Sequence, residues 1–190
     1  MGFLGGSVCY LSGPIEFEGD ASSWRDECSG FLGSLDVGVW DPLKKPDFVP
    51  DVDGVRQRED RRRVACFEDG EFVRLEREWS GVRDLRLAGL TWAAQCDWMI
   101  VNLCGAKTYG TLEEITFGRY KPVFIVCEGM PSMWLLEQLG MSAVWPKYCV
   151  ESLVDLFGLL QFWDDGRCDD DVWGPDGYEE MLRWHRFLRR

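Results

Sequence analysis

At 190 residues with 46% hydrophobic side chains, the chain can bury one sizeable core, which predicts a single domain over 1–190 with embellishments. A formal net charge of -12 speaks against a nucleic-acid polymer or an anionic membrane as the main partner and points to a small molecule instead. No apolar run reaches the ~18 residues needed to span a bilayer, and Met1 to Gly6 is too short and uncharged for a signal peptide, so the expectation is a soluble, cytoplasmic protein.

Ser7 to Leu11 reads as a short apolar strand, broken by Ser12-Gly13-Pro14 into a loop that holds Glu16, Phe17 and Glu18. Asp20 or Ser22 can cap a helix running to about Leu35, whose apolar positions Trp24, Cys28, Phe31, Leu32 and Leu35 follow the helical period. Val37 to Trp40 forms a second strand, ended by Asp41-Pro42. Leu43 to Asp53 is rich in Pro, Lys and Asp without periodicity, as in a surface excursion, and the inserted segment extends to about residue 79. Within it, Arg56 to Arg63 is the only concentrated basic run. It reads as a solvated helix face, with a phosphate clamp as the functional alternative. Phe67 to Trp79 suggests a turn about Asp69-Gly70 in a small hairpin or lid. Val82 to Gln95 is helical in period and leads into the central stretch.

That stretch is Asp97 to Gly118. Trp98 to Leu103 is a nearly unbroken apolar run of strand length, as in a parallel strand covered on both faces. A polar loop from Gly105 follows, and Thr111 with Glu114 has the Thr-x-x-Glu spacing of a helix start. Glu113 and Glu114 would then lie in the first helical turn, at the carboxyl edge of a strand where α/β sheets bind ligands. Pro122 to Cys127 is a further buried strand, so the alternation of strands and helices implies a parallel sheet. Ser142 to Trp145 is a weak fifth strand, and Val150 to Phe162 is a helix. Asp164 to Pro175 is an acidic linker in which Asp169, Asp170 and Asp171 could hold a metal but more simply stay hydrated. Tyr178 to Leu188 is an amphipathic C-terminal helix able to dock on the core or on another subunit.

The eight cysteines include no Cys-x-x-Cys pair and read as reduced packing residues. With His185 the sole histidine, a structural zinc site is not expected. No Gly-x-Gly-x-x-Gly follows a strand, no Walker loop is present, and a Ser-His-Asp triad would depend on His185. The remaining chemistry is that of carboxylates near strand ends: Glu16, Asp41, Asp97, Glu113 and Glu114. A glutamate at a helix start suits a carboxylate nucleophile or a stabiliser of an oxocarbenium-like sugar. The same spacing is also that of a plain capping box, and spacing alone favours the cap.

Tyr10-Leu11-Ser12-Gly13-Pro14, Asp97 before the central strand, and Gly110-Thr111-Leu112-Glu113-Glu114-Ile115 followed by Lys121-Pro122-Val123 resemble the nucleoside 2-deoxyribosyltransferase superfamily. The resemblance runs patchwise over Val8 to Val126. It implies a flavodoxin-like or Rossmann-like three-layer α/β sandwich with a five-stranded parallel sheet. It also implies no cofactor, no metal, a homo-oligomer, and cleavage of an N-glycosidic bond through a covalent glycosyl-glutamate. The nucleophile's position matches Glu114. Tyr10 would lie near sugar and nucleophile, and Ser12, Gly13 and Pro14 would shape the pocket. Asp97 would help protonate the leaving base, although capping the turn before its strand explains Asp97 equally well. Asp41, Lys107, Thr108, Gly110 and Thr111 complete the expected substrate-binding set. Thr108 stands where transferases acting on free nucleosides commonly carry Asp, and Thr116 where a glycine is common. An Asp at the first position would repel a 5′-phosphate, whereas Thr108 and Lys107 would accept one.

The resemblance therefore implies a (2′-deoxy)nucleoside 5′-monophosphate or a nucleoside as substrate, with water or another nucleobase as acceptor. A non-catalytic nucleotide-binding module and an NAD-type glycohydrolase are the competing readings.

Overall fold

The computed structural model describes residues 2–15, 20–44, 67–68, 71–72, 76–104, 109–118, 121–129 and 147–167. In chain order they form β1 (Val8–Ser12), α1 (Ser23–Ser34), β2 (Gly38–Trp40), β3 (Phe67–Glu68), β4 (Glu71–Phe72), α2 (Glu76–Gln95), β5 (Trp98–Asn102), α3 (Tyr109–Phe117), β6 (Val123–Val126), β7 (Lys147–Val150) and α4 (Leu153–Asp164). Five strands make one all-parallel sheet in the order β2-β1-β5-β6-β7, the flavodoxin-like arrangement in which the direction of winding reverses at β1. β3 and β4 form the separate antiparallel hairpin expected about residues 69–70, pairing Phe67 with Phe72.

Alternation along the strands sorts the core into two layers. Cys9 and Leu11 of β1, Trp98 and Ile100 of β5, and Phe124 and Val126 of β6 face one side, packed with Cys28 and Leu32 of α1 and Leu156, Leu160 and Trp163 of α4. Tyr10, Met99, Val101, Val123 and Ile125 face the other, packed with Ala93 of α2 and Ile115 of α3. Every residue of β5 is buried, which is why its sequence is continuously apolar rather than alternating.

Several boundaries move. α2 begins at Glu76 rather than Val82, so the hairpin is shorter than the 67–79 stretch suggested. The fifth strand is Lys147–Val150 rather than Ser142 to Trp145, and 142–145 lie outside the described residues. β7 pairs only with β6 and is an edge strand with Cys149 exposed, so it lacks the apolar run sought in the sequence. α4 starts after Ser152, whose hydroxyl accepts the Asp155 N–H at 3.2 Å. At α1 the cap is Asp20: its carboxylate accepts the N–H groups of Ser22 and Ser23, at 3.2 and 3.0 Å. Most of the excursion after Lys44, including Arg56 to Arg63, and the segment 168–190 lie outside the described residues. Among the described residues no helix is long and apolar enough to cross a membrane. The six described cysteines are free thiols.

Candidate functional site

The site is built where the sheet reverses direction, at the carboxyl ends of β1 and β5. Tyr10 and Ser12 are two residues apart on β1, so both project onto the α2/α3 side of the sheet. Across from them, α3 turns Glu114 inward. The Tyr10 hydroxyl donates to Glu114 Oε1 at 2.7 Å, and the Ser12 hydroxyl donates to Oε2 at 2.5 Å. Each carboxylate oxygen is thereby held by one hydroxyl from the central strand. The third wall is α2, where Gly89 passes so close that a Cβ on it would lie 2.8 Å from Glu114 Oε1 and 3.2 Å from the Tyr10 oxygen. A glycine in mid-helix costs about 0.5–1 kcal/mol relative to alanine, and this close approach accounts for one here.

The electrostatics follow from burial. Desolvation raises the Glu114 carboxyl above its ordinary range, opposed by the Ser12 and Tyr10 hydrogen bonds and by the positive charge of Arg25. Burial, followed by the neighbouring Glu114 charge, pushes the Tyr10 phenol well up, so it remains a donor at neutral pH. Glu113, one residue earlier, faces the other way. Its carboxylate takes both arms of Arg86, with Nε at 2.7 Å from Oε2, and this exposed hydrogen-bonded pairing holds it below its ordinary range. The two adjacent glutamates thus diverge, one tied to α2 on the surface and one turned under it.

Three expectations need correcting. α3 begins at Tyr109, with no acidic residue in its first turn, so Thr111 and Glu114 do not form a capping box at its start. Glu114 lies in the second turn, and its oxygens go to β1. Asp97 is not among the residues gathered here: its carboxylate accepts the Val8 N–H at 2.8 Å. It lies at the amino edge of the sheet, a full strand length, about 16 Å, from the carboxyl edge. Asp41 is buried with its carboxylate engaged by protein groups, paired with Arg25 at 3.5 Å and accepting the Leu43 N–H at 2.9 Å.

Gly13 belongs to the site through its backbone. A Cβ there would lie 2.8 Å from the Trp24 ring and 3.1 Å from the Asn102 carbonyl, so only glycine lets the loop after β1 pass between α1 and β5. Pro14 and Gly13 offer their carbonyls to Arg25. Thr111 is buried in α3, and Gly110 is exposed with open space around it. Lys107 and Thr108 lie outside the described residues. Lys121, which opens the Lys-Pro-Val motif, is buried and donates to the carbonyls of Ala94, at 2.8 Å, and Cys96. It ties down the carboxyl end of α2 and takes no part in the carboxylate cluster.

The residues that sequence reasoning missed are Gly89 and Arg25. Nothing in the sequence marks Gly89, because the contact spans α2, α3 and β1. Arg25 did leave a signal. It stands on the buried stripe of α1 with Cys28 and Leu32, where a charge requires a partner. Among the described residues no group of three or more His, Cys, Asp or Glu could hold a metal ion. Set against models of known protein families, the chain finds no match, and set against curated proteins it also finds none.

Proposed function

We propose that the protein cleaves the N-glycosidic bond of a nucleoside or (2′-deoxy)nucleoside 5′-monophosphate, with Glu114 as the nucleophile, as the resemblance to the nucleoside 2-deoxyribosyltransferase superfamily implies. The observation that carries this reading is the placement of Glu114 at the switch point of the sheet, with one hydroxyl on each of its oxygens. A carboxylate used only as a helix cap would spend its oxygens on backbone N–H groups. This one is fixed as a unit by β1, in a partly desolvated position.

In this reading an oxygen of Glu114 attacks the anomeric carbon from the face opposite the base. The bond to the base nitrogen breaks, its electron pair leaves with the base, and the base takes a proton from solvent. Water, or a second nucleobase, then attacks the same carbon and releases the carboxylate, so the configuration is retained. Tyr10 and Ser12 hold the carboxylate in its attacking orientation. Burial makes the ionised form more reactive than a solvated carboxylate, while the two hydroxyls favour that ionised form against the burial.

The test is release of free base from a panel of deoxynucleosides, ribonucleosides and their 5′-monophosphates, with NAD included as a dinucleotide. Glu114→Gln should abolish release while the fold, checked by circular dichroism, is kept. Unchanged release by a folded Glu114→Gln protein rules the reading out. Tight nucleotide binding without release would show a binding module instead.

A further inference from the structure

We propose that Arg25 is a positioning residue for Glu114, acting from beneath the site by fixing the backbone that carries Ser12. This rests on the reading of Glu114 as the working carboxylate. The Arg25 side chain is completely buried. One arm of its guanidinium donates to the Gly13 carbonyl at 2.9 Å, and the other to the Ala21 carbonyl at 2.6 Å, with Pro14 at 3.4 Å. Its third nitrogen, Nε, makes no hydrogen bond but faces Asp41 at 3.5 Å. The flat cation also stacks on Trp24, 4.4 Å from the ring centroid, and Trp24 is the ring against which Gly13 packs. Arg25 therefore grips both residues that follow Ser12, and it ties them to the residue that follows β2.

A planar fork with fixed spacing suits this task, because two carbonyls on one loop can be held in register only by donors that do not swivel. A lysine in the same place would supply the charge without the geometry. The charge itself reaches the site. Arg25 favours the ionised form of Glu114 against its burial, and Glu114 in turn favours the charged form of Arg25. Besides Ser12, the other groups acting on Glu114 are Tyr10 from β1, which bonds it, and the charge of Glu113 on its own helix, whose side chain turns away to pair with Arg86 of α2. Arg25 supplies positive charge to this group. The loop geometry and the carboxylate's charge state thus depend on one side chain that never touches the substrate.

Two variants separate the effects. Arg25→Lys keeps the charge and loses the fork. The pair Arg25→Met with Asp41→Asn removes both charges together, so no unpaired carboxylate is left buried. With wild type releasing base, Arg25→Lys should lower kcat by roughly 10- to 100-fold, the scale set by a displacement of about 1 Å, with the acid limb of the kcat profile moved up only as far as the weakened Ser12 hydrogen bond allows. The double variant should lose a similar factor, and its acid limb should move to higher pH than that of Arg25→Lys, because the cation that favours ionised Glu114 is gone as well. A folded Arg25→Lys protein with wild-type kcat overturns the positioning role. A folded double variant whose acid limb lies no higher than that of Arg25→Lys overturns the electrostatic one. Should wild type release no base from any substrate, the functional reading fails by itself, and the carboxyl titration of Glu114, followed by carbon NMR with glutamate labelling, still tests Arg25. An upward move in the double variant beyond that of Arg25→Lys supports the coupling, and a titration no higher than that of Arg25→Lys overturns it. If the double variant does not fold, Arg25→Lys alone decides. Loss of the Ser12 to Glu114 hydrogen bond in its crystal structure supports positioning, and an unchanged bond refutes it.

Discussion

Replacing Tyr10 by Phe removes one oxygen from a fully buried side chain and leaves the ring in place against Trp92, 6.3 Å between centroids. What is lost is the 2.7 Å bond to Glu114 Oε1. While Glu114 is ionised that bond is charge-assisted and contributes about 1.5–3 kcal/mol, whereas a bond between two neutral groups contributes about 1 kcal/mol. The size of the effect must therefore change with pH. Burial holds the Glu114 carboxyl above its ordinary value in the folded protein, and Tyr10 is one of the groups opposing that rise, so the Phe variant moves it further up. A carboxyl raised on folding binds its proton more tightly in the folded chain than in the unfolded one. Its ionisation therefore destabilises the fold as pH rises through the folded value, and more so in the variant. The expected stability loss is about 1.5–3 kcal/mol at about pH 8, shrinking towards about 1 kcal/mol at about pH 4, where Glu114 is protonated in the folded state. Urea denaturation at the two pH values measures both numbers. The larger loss corresponds to a fall in Tm of roughly 3–10 °C for a domain of this size. A loss that is equal at both pH values, or greater in acid, would show that Tyr10 does not bond the charged carboxylate and would refute the reasoning.

The close approach of α2 gives a second test. Gly89→Ala should lower Tm, because the Glu114 oxygen it displaces gives up the Tyr10 bond, about 1.5–3 kcal/mol, against a helix gain from alanine of about 0.5–1 kcal/mol. Base release should fall with it by roughly tenfold or more, and a crystal structure of the variant in which Glu114 still touches Tyr10 would contradict this. Gly13→Ala should act on the loop backbone instead, because its Cβ meets the Trp24 ring and the Asn102 carbonyl. A loss of about 1–3 kcal/mol in urea denaturation is expected, and unaltered stability would show that the loop after β1 has room to move.

The fold was legible where burial is most demanding. Trp98–Asn102 and Val123–Val126 are covered on both faces, so only apolar residues fit, and their runs mark the strands plainly. β7 was misplaced because an edge strand does not need such a run. The site was legible in part. Ser12, Tyr10 and Glu114 stand in recognisable motifs, and the structure brings them together. The helix start was misread because Thr-x-x-Glu also occurs inside a helix, and only the tertiary contact to β1 shows which use Glu114 serves. Asp41 and Asp97 looked available because a carboxylate near a strand end is a reasonable candidate. Their partners, Arg25 and the Val8 N–H, lie 16 and 89 residues away in sequence, and no local pattern encodes them.

The carboxylate cluster also bears on how the chain folds. Glu114 lies more than a hundred residues beyond the two hydroxyls that hold it, and β1 reaches α3 only once it has paired with β5, itself some ninety residues away in sequence. Closing loops of that length is slow and sets the pace of parallel-sheet folding. Because side chains alternate along a strand, a slip of one residue in β1 would carry both hydroxyls to the opposite layer at once. The cluster therefore forms only in a chain that has paired β1 with β5 in the correct register, and a spectroscopic signal from Tyr10 meeting Glu114 would mark a late event of folding rather than an early collapse.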